Sequence, residues 1–192
     1  LRGVRRKIGT IYQQHNLVPR LKVVHNVLSG KLGRWSLLSS LLSLIRPAEL
    51  ELALDSLKKV GIEEKIFTRT DELSGGQQQR VAIARVLVQD PEVILADEPV
   101  SSVDPSLATA IINLLVEISQ ATSKTMLMNL HSVDLALSYF SRIIGVKKGC
   151  ILFDLSADKI TDCLLQDLYS GHLPDSEPEK EPDDASCPVV YY

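Results

Sequence analysis

The run Val93-Ile94-Leu95-Ala96, closed by Asp97-Glu98-Pro99, limits the fold more than any other segment. Consecutive apolar residues leave no polar alternate face, so a strand made of them is expected to be covered on both sides. The flanking sequence supplies the cover. Ser74 opens a helical segment that must end near Asp90-Pro91. Asp104 can cap a second helix, with Pro105 in its first turn and Leu107, Ile111, Leu114, Leu115 and Ile118 as its apolar face. Residues 8–12 and 125–130 read as further strands, and Ser132 can cap another helix. Alternating strands and helices predict an α/β layer on a parallel sheet. Residues 143–147 and 150–154 flank Lys148-Gly149, a hairpin signal.

Between the first strand and Leu73 the chain reads as mainly helical. Residues 21–28 suggest a short helix, and the serine- and leucine-rich stretch up to Ile45 fits no single pattern. Pro47 suits the first position of a helix that carries Leu50, Leu54 and Leu57 and stops at Gly61.

A chain of 192 residues can bury a full domain core. Its formal charge of −3 points to neither nucleic acid nor an anionic membrane. The charge is uneven: residues 172–192 hold six acids, one base and four prolines, and the remainder carries +2. That segment is predicted to be a disordered acidic tail. Three cysteines without CxxC spacing do not suggest a zinc site. No apolar run approaches the ~20 residues that span a bilayer.

The most informative segment is Leu73-Ser74-Gly75-Gly76-Gln77-Gln78-Gln79-Arg80. A helix start exposes unpaired N–H groups and partial positive charge, which attract phosphate. Ser74 can donate its hydroxyl to a phosphate oxygen, and glycines let a phosphate approach the backbone. Ser74 and Gln77 also have capping-box spacing, but a capping box does not explain two glycines, each costing about 1 kcal/mol in a helix. Asp97 and Glu98 follow an apolar strand, where open α/β sheets bind ligands. An Asp there can hold Mg²⁺, and the next Glu can orient and deprotonate a water. His131 follows the strand at 125–130 and could bond a γ-phosphate; Gln13 ends the first strand. Alone, either residue is as well explained by structure, and Asp104 by its capping role.

In this order and spacing the segments resemble the ATP-binding cassette (ABC) family. Residues 73–80 look like its signature motif, residues 93–98 like Walker B with a catalytic glutamate, and Gln13 like the Q-loop. Ser101-Ser102-Val103-Asp104 resembles the D-loop, and His131 the switch histidine. Arg5-Arg6-Lys7-Ile8-Gly9, Gln13-Gln14-His15-Asn16-Leu17-Val18 and Asn129-Leu130-His131-Ser132 are similar to ATPase subunits of phosphonate importers.

The resemblance implies a P-loop NTPase α/β core with an inserted helical subdomain, here without its N-terminal strands and phosphate loop. Residues 1–171 would form a partial nucleotide-binding domain: a helical subdomain at about 14–73, a RecA-like core at 74–149, and a hairpin and helix at 150–171. It implies ATP and Mg²⁺ as cofactors, with Asp97 and Gln13 toward the metal and Glu98, His131 and Gln13 as catalytic residues. Ser74, Gly75, Gly76 and Gln77 would bind the nucleotide of a second cassette, beside the D-loop Asp104. The implied partners are permease subunits, which would dock around residues 12–35, a second copy, and a substrate-binding protein, with no nucleic acid. The implied location is the cytoplasmic face of a membrane. Other importers, a cassette associated with carbon–phosphorus lyase, a soluble non-transport ABC protein and a degenerate non-hydrolysing subunit share these features. The family's G-x-x-x-x-G-K-[ST] loop does not occur in these 192 residues, which start at Leu1 rather than Met. The loop is expected upstream, and the chain alone is expected not to hydrolyse ATP.

Overall fold

The computed structural model describes residues 2–101 and 103–170. The expected acidic tail and Ser102 of the D-loop segment lie outside them. The chain forms two compact units that divide after Leu135.

The first unit contains a parallel sheet of β1 (Ile8–Ile11), β2 (Val93–Asp97) and β3 (Thr125–Asn129), in that spatial order. Ile11 pairs with Ala96, and Asp97 with Asn129, so all three strands end at one edge. β2 is central, as its apolar run requires. Its two faces are not equally covered: Ile94 and Ala96 are buried, whereas Val93 and Leu95 are half-buried. The covered face belongs to a core shared with α5 (Gly75–Gln89) and α6 (Pro105–Thr122).

α5 is buried on most of its circumference, through Val81, Ala82, Ile83, Ala84, Val86 and Val88. Near-complete burial explains why its apolar periodicity is weak in the sequence. α6 starts at Asp104, whose Oδ1 accepts from the Leu107 amide at 3.0 Å, and ends at Ser123 in a left-handed conformation. Its buried face is Ala108, Ile111, Ile112, Leu115 and Ile118; Leu107 and Leu114 are half-buried at its border.

Against α5 pack α2 (Val23–Leu28) and α4 (Leu50–Lys59), preceded by the short α1 (Arg2–Lys7). α4 begins three residues after Pro47, not at it. α3 (Leu37–Ile45) resolves the ambiguous serine–leucine stretch as a helix capped by Ser36. The α2 region is fastened by Asn26, which is buried. Its amide donates to Thr70 Oγ1 at 2.8 Å and to the Val18 carbonyl at 3.0 Å, and accepts from the Val18 amide at 2.8 Å. The Thr70 hydroxyl passes on to the Leu21 carbonyl at 3.0 Å. Arg80 donates to the Val60 carbonyl at 2.6 Å and so ties the end of α4 to α5.

α7 (Val133–Tyr139) carries the chain across the division. The second unit holds the antiparallel hairpin β4 (Arg142–Lys147) and β5 (Cys150–Ser156), then α8 (Asp162–Tyr169). Lys148 and Gly149 both have positive φ, 50° and 80°, as a tight hairpin turn requires. Arg142 and Asp154 pair across the strands at 2.7 and 2.6 Å.

Candidate active site

The edge where the parallel strands end brings four polar side chains into two pairs. Asn129 Nδ2 donates to Asp97 Oδ1 at 3.0 Å, directly across the β2–β3 register. Glu98 Oε1 and His131 Nε2 lie 2.6 Å apart. The Glu98 amide donates to the Asn129 carbonyl at 3.2 Å, which extends the ladder one step past β2. Glu98 itself has φ +45°, a conformation unusual for a residue with a side chain. The chain turns there, and the Ser101 amide closes the turn on the Glu98 carbonyl at 3.3 Å. Local strain at a strand end beside paired polar groups is the pattern found at functional sites. The Glu98 side chain is 22% exposed and His131 79% exposed, so the pair opens to solvent on the histidine side. Both line a cavity of about 300 Å³, whose other walls include Val100, Val103, Leu130 and Leu135.

Gln13 lies two residues beyond Ile11, the partner of Ala96, as Glu98 lies two beyond Ala96. It is exposed in the turn that follows β1. That turn is held by Arg85 of α5, which donates to the Asn16 carbonyl at 2.6 Å and the His15 carbonyl at 2.8 Å. His15 and Asn16 are both left-handed, with φ 58° and 48°. Burial lowers the pKa of Arg85, and burial with the nearby Arg85 charge lowers that of His15. Arg85 therefore positions the Gln13 turn. The sequence reading missed it, because an Arg within an apolar helix gives no local sign of which carbonyls it will meet.

At the start of α5, Ser74 Oγ accepts from the Gln77 amide at 3.3 Å, and Gln77 Oε1 accepts from the Ser74 amide at 3.1 Å. The capping box is thus formed. The two glycines separate. A Cβ on Gly76 would run into Leu107 of α6, so packing explains that position. A Cβ on Gly75 would meet nothing within 4 Å, and its φ is not positive, so neither packing nor backbone requires glycine there. No hydrogen bond or ion pair among the described residues links residues 74–77 to Asp97, Glu98 or His131. Asp104 sits in its capping role, its carboxyl held below the ordinary range by the Ser106 hydroxyl at 2.6 Å and the Leu107 amide.

No group of three or more His, Cys, Asp or Glu side chains among the described residues forms a metal cage. Mg²⁺ at a nucleotide site needs no cage, because phosphate oxygens and waters fill most of its coordination. Asp97, exposed at the strand end and oriented by Asn129, fits one such ligand.

The ABC transporter family model matches residues 1–101. The chain belongs to the ABC transporter family and is part of its ATP-binding domain. It is 44% identical to the phosphonates import ATP-binding protein PhnC 3 of Halalkalibacterium halodurans, over 90% of this chain and 67% of that protein. It is 46% identical to the phosphonates import ATP-binding protein PhnC of Lactococcus lactis subsp. cremoris, over 88% of this chain and 69% of that one. Among solved structures it is similar to the dimeric ATP-binding cassette MJ0796 bound to ADP and Pi, with TM-score 0.65 and 33% identity, covering 80% of this chain and 64% of that one. The chain thus spans about two thirds of the length of such relatives. Among the described residues no helix is long and apolar enough to cross a membrane.

Proposed function

We propose that this chain is the part of a phosphonate importer's ATPase subunit that carries the water-activating groups and the surface offered to a second cassette. The observation that carries the proposal is the Glu98–His131 contact beside Asp97–Asn129, all at the C-terminal edge of one parallel sheet. Residues 14–73 serve as the inserted helical subdomain and residues 74–149 as core, its last strand β4 pairing with β5 of the C-terminal segment that ends in α8. ATP, when bound, supplies the phosphoanhydride to be cleaved, and Asp97 and Gln13 are the residues that would hold its Mg²⁺. Glu98 takes the proton of a water at a carboxylate oxygen. His131 holds that carboxylate from the solvent side and is placed to exchange it for a phosphate oxygen. Gln13 follows the same event from the turn that Arg85 braces. Ser74, Gly75, Gly76 and Gln77 act on the nucleotide of a second copy. The open surface at Gly75 supports this reading, since an added Cβ there would meet no atom of the described residues within 4 Å. Asp104, through its cap on α6, lies in the segment that faces that copy.

The identity to phosphonate import proteins supports a phosphonate or a related phosphorus oxyanion as cargo. Permease subunits, docking around residues 12–35, and a substrate-binding protein complete the system, with the cassette on the inner face of the membrane. The test is Glu98→Gln in a form of the protein that also carries a phosphate loop ahead of Leu1. ATP binding should persist and hydrolysis should fall by about 10²–10⁴-fold, the weight of a positioned base. Near-normal turnover would remove Glu98 from this role.

A further inference from the structure

α3 is built the wrong way round for a helix on a water-facing surface. Its sequence, LLSSLLSLI, contains no charge. The residue it buries is Ser43, while Leu37, Leu38, Leu41, Leu42, Leu44 and Ile45 point outward, 54% to 86% exposed. A helix that buries a serine and exposes its leucines gains nothing from water. An apolar patch of this kind marks a docking surface.

The surrounding charge says what docks. Residues 1–48 contain nine Lys and Arg and no Asp or Glu; all 24 acids of the chain lie from Glu49 onward. The net −3 conceals this division. α3 is bracketed by Arg34 and Arg46, both exposed. Arg34 also lines a cavity of about 290 Å³ together with Arg5, Arg6 and Arg85. Arg85 is spent on the carbonyls of His15 and Asn16, and Arg34 reaches the Asp90 carbonyl, but Arg5, Arg6, Arg34 and Arg46 make no ion pair among the described residues. Asp90, which also feels the charge of Arg34, is paired with Lys124, Glu92 with Lys7, and Glu49 with Lys31 and the Trp35 indole. Outward leucines flanked by arginines outside any ion pair are the chemistry of a helix lying in the interface of an anionic bilayer.

We infer that α3 and the arginines beside it form a direct docking surface for anionic phospholipid, which adjoins the proposed permease-docking segment at Arg34 and engages lipid without a permease. Leucines 37, 38, 41 and 42 enter the acyl boundary, and Arg5, Arg6, Arg34 and Arg46 meet the headgroup phosphates. A protein groove would be served by the leucines alone; the acid-free segment of 48 residues favours the lipid.

The test is flotation of the full 192-residue chain with vesicles of phosphatidylcholine alone or with phosphatidylglycerol added. Nucleotide is omitted, so failure here leaves the ATPase reading untouched. Binding is expected on the anionic vesicles only, and should weaken with salt. Each arginine replaced among Arg5→Gln, Arg6→Gln and Arg34→Gln should lower the affinity about fivefold. Leu38→Ser with Leu41→Ser should lower it tenfold or more, without a change in thermal midpoint, because both side chains are exposed. Trp35, the only tryptophan, sits two residues ahead of α3 and needs no substitution to report. Brominated lipid should quench its fluorescence on anionic vesicles. Equal binding to neutral vesicles, no binding, no quenching, or leucine variants that change only the oligomeric state would each overturn the inference. So would binding that appears only when permease is present in the vesicles.

Discussion

The seam between α2 and the turns at residues 18–21 and 70–72, and the open edge of the sheet, both depend on a few polar side chains, and they use them in opposite ways. At the seam, Asn26 and Thr70 are buried and every hydrogen bond they make is to the chain itself. At the edge, Asp97, Asn129, Glu98 and His131 pair with one another while open to solvent, and each pair can be exchanged for an external group. Polar groups that cannot leave their partners hold a fold together; polar groups that can leave them are available for chemistry.

The largest effect should come from breaking the seam. Asn26→Ala leaves the part-buried Val18 amide and carbonyl without a partner and removes the donor to the Thr70 hydroxyl, which keeps its bond to the Leu21 carbonyl, at about 1–3 kcal/mol per group left unpaired. A loss of about 3 kcal/mol or more in urea unfolding is expected. His131→Ala, at the edge, should change unfolding by about 0.5 kcal/mol or less while lowering turnover. Comparable stability losses for the two variants would erase the contrast.

A smaller pair of effects separates the two glycines of α5. Gly76→Ala collides with Leu107 and should cost about 1–3 kcal/mol through overpacking. Gly75→Ala has open space and should be neutral or stabilising by up to about 1 kcal/mol. If Gly75 serves a nucleotide, that gain in stability will accompany a loss of turnover in the assembled enzyme. Unchanged turnover would leave the residue without a role.

The smallest effect is on the acid side. Asp90, Asp104 and Asp154 have carboxyls held below their ordinary range, by Lys124, by Ser106 and the Leu107 amide, and by Arg142 respectively. A folded-state pKa below the unfolded one adds stability above the unfolded value and loses it as pH falls through the folded value. Thermal midpoints should therefore decline below about pH 4, the ordinary carboxylate range. All three groups are largely exposed, so the decline should be shallow and reduced by salt. An Asp154→Asn variant with an unchanged acid profile would remove that ion pair from the set.

The sheet and its edge were legible in the sequence because short apolar runs and the residues that end them lie together in the chain. β2, its Asp97-Glu98 ending and the caps at Ser74 and Asp104 could be read in this way. The seam was not legible: Asn26 and Thr70 are 44 residues apart, and nothing local marks either as buried. Arg85 escaped for the same reason. α3 could not be assigned because its pattern is inverted; periodicity reports an apolar face but not which way that face points. Leu107 of α6, distant in sequence, places a packing demand on Gly76 that nothing local in the sequence shows.

The division of labour between Ser74 and Glu98 can be tested in one mixing experiment. Two phosphate-loop-bearing forms of the protein are prepared, one Ser74→Ala and the other Glu98→Gln, each with little turnover alone. In a mixed dimer, intact Glu98 of the first subunit meets intact Ser74 of the second at one site, while the other site carries both lesions. If the two residues act on the same nucleotide from opposite subunits, ATP hydrolysis on mixing will rise well above either variant alone. Turnover no greater than the sum of the separate variants would contradict that arrangement.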